Sequence, residues 1–258
     1  MTTTESTTGR PTVLVTGSTS GIGAATARVL AAGGWHVVVT GRDERRGKGV
    51  VEEVEAAGGR AAFVPSDLTA PPEELREFAR TAVEAAGGRL DAIVHNAAVC
   101  PAVDTPNLSD ADLETALAVN VRAPHVLTAA LVPAMAERGR GAVVVVGSWM
   151  AHVGHPFVGL YAATKAAEIQ LGRSWAAEFG PCGVRVNTVS PGATRTPIND
   201  SEADAAVVEA MTAATAGGRP GRPEEVAAAV AWLLSEESAY VHGAEIAVDG
   251  GIVTTRTA

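Results

Sequence analysis

Short apolar runs rich in β-branched residues alternate with longer segments of helical periodicity along most of the chain. Runs of this length and composition predict buried strands, and the segments between them predict helices. Because strands connected through helices run parallel, the pattern predicts an α/β fold, a doubly wound, seven-stranded parallel sheet with helices on both faces. The predicted strands are residues 13–16, 35–40, 61–65, 91–95, 142–146, 185–190 and 244–248.

Glycine, proline and capping residues mark the ends of the predicted helices. Glycine pairs at 58–59 and 87–88 end two of them, and the capping-box pattern at 109–112 begins another. Inside that helix, Pro124 has no N–H to donate to the carbonyl of Asn120, so we expect a kink there. A carbonyl freed beside a kink can hold a water in a proton relay; on an exposed face the same pattern would be only a tolerated kink.

The domain organisation is simple, because no repeat or low-complexity linker divides the chain. We predict a single domain over residues 10–258, preceded by a Thr- and Ser-rich disordered tail over residues 1–9. The acidic, Ala-rich segment 198–218 is interpreted as a mobile flap of short helices over the functional site.

Composition and charge narrow the classes of function. The net charge of −9 disfavours a nucleic-acid or anionic-membrane partner. No apolar run approaches the length of a spanning helix, and no signal-peptide pattern opens the chain. Only Cys100 and Cys182 are present, which excludes a disulfide framework and fits a reducing compartment. We therefore expect a cytoplasmic protein.

A glycine-rich turn follows the first predicted strand, with glycines at 17, 21 and 23. Glycines let the backbone turn tightly, and the helix behind them offers N–H groups and a positive dipole to a phosphate. The spacing differs from G-x-G-x-x-G, and a turn that merely needs glycine is the alternative. The strand before and the helix after favour nucleotide binding.

The end of the second predicted strand carries the signal for the type of dinucleotide. An acid at this place binds the ribose of NAD, whereas an arginine accommodates the phosphate of NADP. Gly41 stands where the acid is expected and Arg42 follows it, which favours NADP(H), with NAD(H) still possible. Asp43 is interpreted as the N-cap of the next helix. Arg42 as an ordinary solvated charge is the remaining alternative.

Other polar residues follow the ends of predicted strands, among them Asn96 and Ser148. Tyr161 and Lys165 are four apart, so they share one face of the helix after Ser148. A neighbouring ammonium favours the phenolate and lowers the pKa of the tyrosine, which makes Tyr161 a candidate acid–base group. Taken alone, Tyr-x-x-x-Lys is more often an ordinary helix surface; its agreement with the strand-end residues favours a catalytic site.

Together these residues resemble the short-chain dehydrogenase/reductase family over roughly residues 11–253. The Gly-rich turn is similar to the family's cofactor turn, and Asn96-Ala97-Ala98 to its Asn-Asn-Ala-Gly segment. The chain departs from the family pattern at His95 and Ala98, where the family usually has Asn and Gly. The resemblance implies a Rossmann-type fold and an enzyme that transfers a hydride between a nicotinamide cofactor and a carbonyl carbon.

The resemblance also implies residue roles. Tyr161 would exchange the proton of the substrate oxygen and Ser148 would orient the carbonyl. Lys165 would bind the nicotinamide ribose and lower the Tyr161 pKa, and Asn120 would hold a relay water. The residues assigned to the cofactor are Gly17, Ser18, Thr19, Ser20, Gly21, Ile22, Gly23, Arg42, Asp67, Leu68, Asn96, Ala97, Ala98, Tyr161, Lys165, Pro191, Gly192, Thr194 and Thr196.

Apolar and aromatic residues near Ser148 suggest an apolar, cyclic or aromatic substrate, although each of them would equally suit packing. No metal is expected, because the histidines among them are not spaced with acids or cysteines as metal ligands are. The expected substrate contacts are Trp149, Met150, His152, His155, Phe157 and Ile198.

Three functions are weighed. A ketone reductase or alcohol dehydrogenase acting on a small carbonyl or alcohol is favoured. A 3-oxoacyl-(acyl-carrier-protein) reductase is the narrower alternative, with Arg138 and Arg140 as the dock for an acidic partner, although Cys182 stands where such reductases often carry arginine. A cofactor-binding regulator or scaffold without turnover would not need Tyr161 and Lys165 in register. Family relatives are usually tetramers or dimers, so a homotetramer or homodimer is expected.

Overall fold

The computed structural model describes residues 9–197 and 201–257, whose strands form one seven-stranded parallel sheet in the order β3-β2-β1-β4-β5-β6-β7. The winding reverses between β1 and β4, which are paired in parallel at Val13 and Ala92. The predicted doubly wound sheet is confirmed. The strands are β1 (Thr12–Val15), β2 (His36–Gly41), β3 (Arg60–Pro65), β4 (Ala92–His95), β5 (Gly141–Val146), β6 (Val184–Pro191) and β7 (Glu245–Val248).

Helices cover both faces of the sheet, and alternate strand residues pack against opposite layers. Leu14 belongs to a core shared with helices α3 and α5, whereas Val13 and Val15 pack with α1, α2 and α8. Both strand faces are therefore buried, which explains why the strands are continuously apolar. The helices are α1 (Gly21–Ala32), α2 (Glu44–Ala56), α3 (Pro72–Ala85), α4 (Asp110–Leu117), α5 (Ala123–Glu137), α6 (Gly159–Phe179), α7 (Glu202–Thr212) and α8 (Pro223–Leu234).

The predicted break near Asn120 takes the form of a π-turn over Ala118–Arg122, between α4 and α5. The N–H of Ala123 bonds to the carbonyl of Ala118, five residues back, and Pro124 lies in the first turn of α5. A single π-turn in a continuous helix often marks a functional site, because the extra residue redirects the side chains around it.

The prediction that no apolar run approaches the length of a spanning helix needs correction for this helical stretch. Asp110–Glu137 is long and apolar enough, by length and composition, to cross a membrane. Because 61% of its most apolar window is buried inside the domain, the stretch has the surroundings of a core helix. The tail predicted over residues 1–9 lies, up to residue 8, outside the described residues.

Candidate active site

A cleft of about 770 Å³ opens beyond the carboxyl ends of β1, β2 and β4, the edge at which open parallel sheets bind ligands. The predicted cofactor residues that line it are Gly17, Thr19, Ser20, Gly21, Ile22, Gly23, Arg42, Asp67, Leu68, Asn96, Ala97, Ala98, Tyr161 and Thr196. The lining residues that the sequence analysis missed are Gly41, Asp43, Arg46, Ser66, Thr69, Val99, Cys100, Thr115, Val119 and Pro197.

Hydrogen bonds between β1 and β4 hold the Gly-rich turn in place. The Thr16 hydroxyl accepts from the N–H groups of Asn96 at 3.0 Å and Ala97 at 3.1 Å. In return, the Asn96 amide donates to the carbonyls of Thr16 at 2.9 Å and Gly17 at 3.1 Å. The two loops therefore form one rigid wall of the cleft.

The glycines of this turn are required by close packing. Gly17 has φ +63°, and a Cβ there would lie 2.8 Å from the Ala97 Cα; a Cβ on Gly23 would lie 2.4 Å from the Gly17 carbonyl oxygen. The Ser20 side chain makes no capping bond to α1, so it does not occupy the first-turn N–H groups. A bare backbone turn at a helix N-terminus fits the pyrophosphate of a dinucleotide.

We expect Gly17→Ala to lower the free energy of unfolding by about 1–3 kcal/mol, because its methyl group meets backbone and its φ is left-handed. Chemical denaturation measures the change. Gly49→Ala is the matched control: Gly49 lies in α2, and a Cβ there would have nothing within 4 Å, while alanine favours a helix. Equal stability of Gly17→Ala and the unsubstituted protein would contradict the packing requirement.

Two arginines, Arg42 and Arg46, and one aspartate, Asp43, line the β2 end of the cleft. The Asp43 carboxylate caps α2, accepting from the Arg46 backbone at 2.9 Å and its Nε at 2.6 Å. These bonds lower the pKa of Asp43, and its predicted role as N-cap is confirmed. An acid cannot replace Gly41 without movement, because a Cβ there would lie 2.8 Å from Thr19 Cγ2. Arg42 precedes α2, whereas Arg46 lies in its first turn, and both line the cleft.

Asp67 lies at the edge of the cleft, just beyond the carboxyl end of β3. Its Oδ1 accepts from the Thr69 hydroxyl at 2.7 Å and the Thr69 N–H at 2.9 Å. These two bonds lower the pKa of the Asp67 carboxyl. Asp67 is therefore an anion held in a fixed orientation at the rim of the cleft.

Tyr161 lines the other end of the cleft. The buried side chains of Lys165 and Ser148 lie beside it but do not line the cleft. Ser148 lies two residues after β5 and caps the short helical turn Trp149–His152, where its hydroxyl accepts from the Met150 N–H at 3.2 Å. Lys165 Nζ lies 5.9 Å from the Tyr161 ring centroid and donates to the Val146 carbonyl at 2.9 Å. The end of β5 and the first turns of α6 thus position all three side chains.

The pKa of Tyr161 is raised above its ordinary value. Burial is the largest cause; the Lys165 ammonium and a hydrogen bond with Ser148 oppose it. The spacing of Tyr161 and Lys165 predicts a lowered pKa. Lys165 acts in that direction, but the net pKa is raised, because burial disfavours the phenolate more than the ammonium stabilises it.

Glu168 is a buried acid that the sequence analysis missed. Its Oε2 lies 2.7 Å from Lys165 Nζ, and both side chains are almost completely buried. Burial raises the pKa of Glu168 to about 7, against the opposing effect of Lys165. The spacing of three residues on one helix was the available signal.

The Asn120 side chain is fully engaged in holding the π-turn. Its Oδ1 accepts from the Val99 N–H, and its Nδ2 donates to the Val99 carbonyl and the Thr164 hydroxyl, each at 2.9 Å. The amide thus joins the loop after β4 to α6. Its predicted role in holding a relay water stays a prediction.

Some predicted cofactor residues have other surroundings. The buried Ser18 hydroxyl donates to the Val15 carbonyl at 2.6 Å and accepts from the Thr40 N–H at 2.9 Å, so it fastens β1 to β2 and does not line the cleft. Pro191, Gly192 and Thr194 do not line it either; a Cβ on Gly192 would lie 2.6 Å from the Asp249 Cα. Their contact with cofactor stays a prediction.

The five described residues predicted to touch substrate do not line the cleft. His152 Nε2 lies 2.5 Å from Glu245 Oε1 on β7, and His155 bonds to the Pro156 carbonyl. Phe157 is 54% exposed and has a left-handed backbone, with φ +69°. Trp149 is buried and Met150 half-buried, while Ile198 lies outside the described residues. Substrate contact by these six residues stays a prediction.

Arg138 and Arg140 lie at the wrong edge of the sheet to serve the cleft. Both precede Gly141, the first residue of β5, and the Arg138 guanidinium donates to the Leu90 carbonyl, before β4. They therefore lie by the amino ends of the strands, opposite the cleft. An acyl chain carried by a protein docked there would not face Tyr161.

Among the residues that the structure describes, no group of three or more histidines, cysteines or acids is placed to hold a metal ion. The expectation that the protein uses no metal stays a prediction.

Comparisons with known proteins agree with the geometry. The family model described as Enoyl-(Acyl carrier protein) reductase matches residues 17–253. The cyclopentanol dehydrogenase of Comamonas testosteroni is 34% identical over 93% of this chain and 95% of its own. The L-rhamnose 1-dehydrogenase (NAD(P)(+)) of Sphingomonas sp. is 37% identical over 93% of this chain and 95% of its own.

Solved structures of similar sequence have the same fold as this chain. A short chain dehydrogenase/reductase family protein superposes with a TM-score of 0.85 at 39% identity, covering 95% of this chain and 98% of that one. A 3-oxoacyl (acyl-carrier-protein) reductase from Agrobacterium tumefaciens C58, with NADP bound, gives 0.87 at 34% identity and covers 93% of each chain. The chain therefore belongs to the short-chain dehydrogenase/reductase family of nicotinamide-dependent oxidoreductases.

Proposed function

We propose that the protein is an NADP(H)-dependent oxidoreductase that interconverts a ketone and a secondary alcohol, acting as a ketone reductase. The observation that carries the proposal is the make-up of a single cleft. Tyr161 lies at one end beside Lys165 and Ser148, and Arg42 and Arg46 line the other end.

The chain's own residues supply binding, orientation and the proton. When bound, the nicotinamide supplies the hydride that reduces the carbonyl carbon. Ser148 donates a hydrogen bond to the carbonyl oxygen, and Tyr161 gives that oxygen its proton. Because the pKa of Tyr161 is raised, its hydroxyl is protonated at neutral pH, which supports the reductive direction.

The phosphate of NADP is assigned to Arg42 and Arg46. Two guanidinium groups beside the ribose position favour a phosphate, whereas NAD needs an acid there. Asp43 caps α2, where its carboxylate accepts from Arg46 twice, which supports assigning the ribose end of the cleft to arginine. The similar structure from Agrobacterium tumefaciens C58 has NADP bound, which supports the assignment.

We expect Arg42→Ala to weaken NADPH binding by about 10–100-fold, because a charge-assisted hydrogen bond to phosphate contributes about 1.5–3 kcal/mol. The affinity for NADH should stay unchanged. Titration of each variant with NADPH and separately with NADH, followed by nicotinamide fluorescence, measures both affinities. Arg45→Ala is the control, since Arg45 lies on α2 outside the cleft. Tighter binding of NADH than NADPH by the unsubstituted protein would overturn the cofactor assignment.

The substrate proposed is a compact apolar ketone. Val99, Cys100, Val119 and Pro197 line the same cleft as Tyr161 and offer it few polar partners. The relative named cyclopentanol dehydrogenase suggests a ring ketone. A panel of cyclic ketones with NADPH tests this, with a 3-oxoacyl thioester in the same panel.

A 3-oxoacyl-(acyl-carrier-protein) reductase is the second candidate, favoured by the name of the Agrobacterium structure. The position of Arg138 and Arg140 at the opposite edge of the sheet does not support docking through them. Turnover of the thioester far above that of every cyclic ketone would establish this candidate. Tight NADPH binding with no turnover of either class would instead favour a binding protein or regulator.

We also propose that the chain assembles with copies of itself, as a homodimer or homotetramer. The support is the family resemblance alone. Light scattering coupled to size-exclusion chromatography measures the assembly, and a monomer at micromolar concentration would contradict it.

A further inference from the structure

The ammonium of Lys165 is held by two acceptors, and one of them is an anion. Nζ donates to the Val146 carbonyl at 2.9 Å and lies 2.7 Å from Glu168 Oε2. Lys165 and Glu168 are each only 1% exposed, so water does not screen the pair. The Glu168 carboxylate has no hydrogen-bond donor besides Lys165 among the described residues.

The same carboxylate acts on Tyr161 through space. Lys165 favours the Tyr161 phenolate, and Glu168 disfavours it. An ionised Glu168 makes its pair with Lys165 net neutral, which reduces the field that the ammonium exerts on the phenol. A neutral side chain at position 168 leaves that field intact.

We propose that Glu168 is a positioning residue that holds the Lys165 ammonium against the Val146 carbonyl and moderates, by its charge, how strongly Lys165 favours the Tyr161 phenolate. This inference rests on the proposed function, in which Tyr161 gives its proton to a ketone. A tyrosine kept protonated near neutral pH is the form that reduction needs.

Other titratable groups around α6 do not replace Glu168. His95, whose pKa burial lowers to about 3, is uncharged at neutral pH. Cys100, whose pKa burial raises, also disfavours the Tyr161 phenolate, and it is unchanged in every Glu168 variant. His152 and Arg173 are bound to Glu245, and His125 lies against Trp175.

The remaining neighbours of α6 carry charges that are engaged or exposed. On the π-turn, Arg122 donates to the Thr69 carbonyl, and on β6, Arg185 donates to the Leu233 carbonyl. The acids of α4 (Asp110, Asp112 and Glu114) and Cys182 after α6 are exposed, and β5 has no titratable residue.

The test is a spectroscopic titration of Tyr161. The chain has only two tyrosines, and Tyr240 is fully exposed. In a Tyr240→Phe background, the phenolate absorbance therefore reports Tyr161 alone. We expect Glu168→Gln to move this titration about one pH unit lower, because it removes the charge that opposes Lys165. The alkaline limb of the pH profile of ketone reduction should move with it.

Two controls separate charge from folding. Glu178→Gln makes the same substitution on the exposed face of α6 and should leave the titration unchanged. Glu168→Asp keeps a buried negative charge beside Lys165, so it can be measured even if the Glu168→Gln chain does not fold. Its shorter side chain places the carboxylate farther from Lys165, so the Tyr161 titration should shift in the same direction but by less.

An unchanged titration, or a shift to higher pH, in either folded Glu168 variant would overturn the inference. The titration needs no substrate, so its result stands apart from the proposed function. A shifted titration without ketone turnover would support the role of Glu168 and contradict the proposed reductase activity. Ketone turnover with an unmoved titration would support the reductase activity and contradict the role of Glu168.

Discussion

Replacing Tyr161 by phenylalanine is expected to lower kcat for ketone reduction by at least about 10²–10⁴-fold, the usual contribution of a positioned acid. The substitution removes the hydroxyl that gives the proton and keeps the ring that lines the cleft. Steady-state kinetics with NADPH and the best ketone of the panel measure the loss. The affinity for NADPH should change little, because the ring at position 161 and the Gly-rich wall of the cleft both remain.

Tyr240→Phe is the matched control for this loss. The same hydroxyl is removed from a side chain that is 100% exposed, so kcat should be unchanged. A Tyr161→Phe variant that keeps more than about a tenth of the activity would show that another group gives the proton.

Replacing Lys165 by methionine is expected to have the largest effect on stability. It leaves the Glu168 carboxylate buried without its partner, which costs about 3–5 kcal/mol. Activity should also fall steeply, since Tyr161 loses its neighbouring cation. Denaturant unfolding gives the stability, and the kinetics of the folded fraction give the activity.

The stability loss should depend on pH. Without Lys165, burial raises the folded-state pKa of Glu168 further above its unfolded value of about 4.3. The stability that the neutral acid contributes is therefore fully present at a pH below that unfolded value. That contribution is lost as the pH rises, and the deficit of Lys165→Met should be larger at about pH 8 than at about pH 5. A deficit independent of pH would contradict the buried pair.

A double variant separates the two roles of Lys165. Lys165→Met combined with Glu168→Leu removes both charges, and an apolar pair of similar size is often neutral or stabilising at a buried site. We expect it to recover most of the stability and none of the activity. Recovery of activity would show that Lys165 serves the fold alone.

The fold was readable from the sequence to a large extent. Continuous apolar runs such as the one before Ser148 predict a strand buried on both faces, and the Gly-rich turn after β1 predicts a ligand at its end. Local rules also identified Asp43 as an N-cap and Tyr161 with Lys165 as a pair on one helical face, since both depend on neighbours within one turn.

The substrate end of the cleft was not readable in the same way. Closeness in sequence to Ser148 predicts substrate contact for the residues that follow it, but His152 lies against Glu245 on β7 and does not line the cleft. Cys100 and Thr115 do line the cleft, from the loop after β4 and from α4. Which side chains converge there depends on how separate elements pack, and sequence separation does not encode that packing.

The sequence by itself determined the parallel sheet, the dinucleotide turn and the Tyr161–Lys165 pair, because each follows from periodicity or from spacing within a few residues. Only the tertiary structure decided the direction of the Tyr161 pKa, because burial comes from the surrounding elements and outweighs Lys165. It likewise decided that Glu168 is a buried partner of Lys165 and that Arg138 lies opposite the cleft. Desolvation and position relative to the sheet edge are properties of the packed fold.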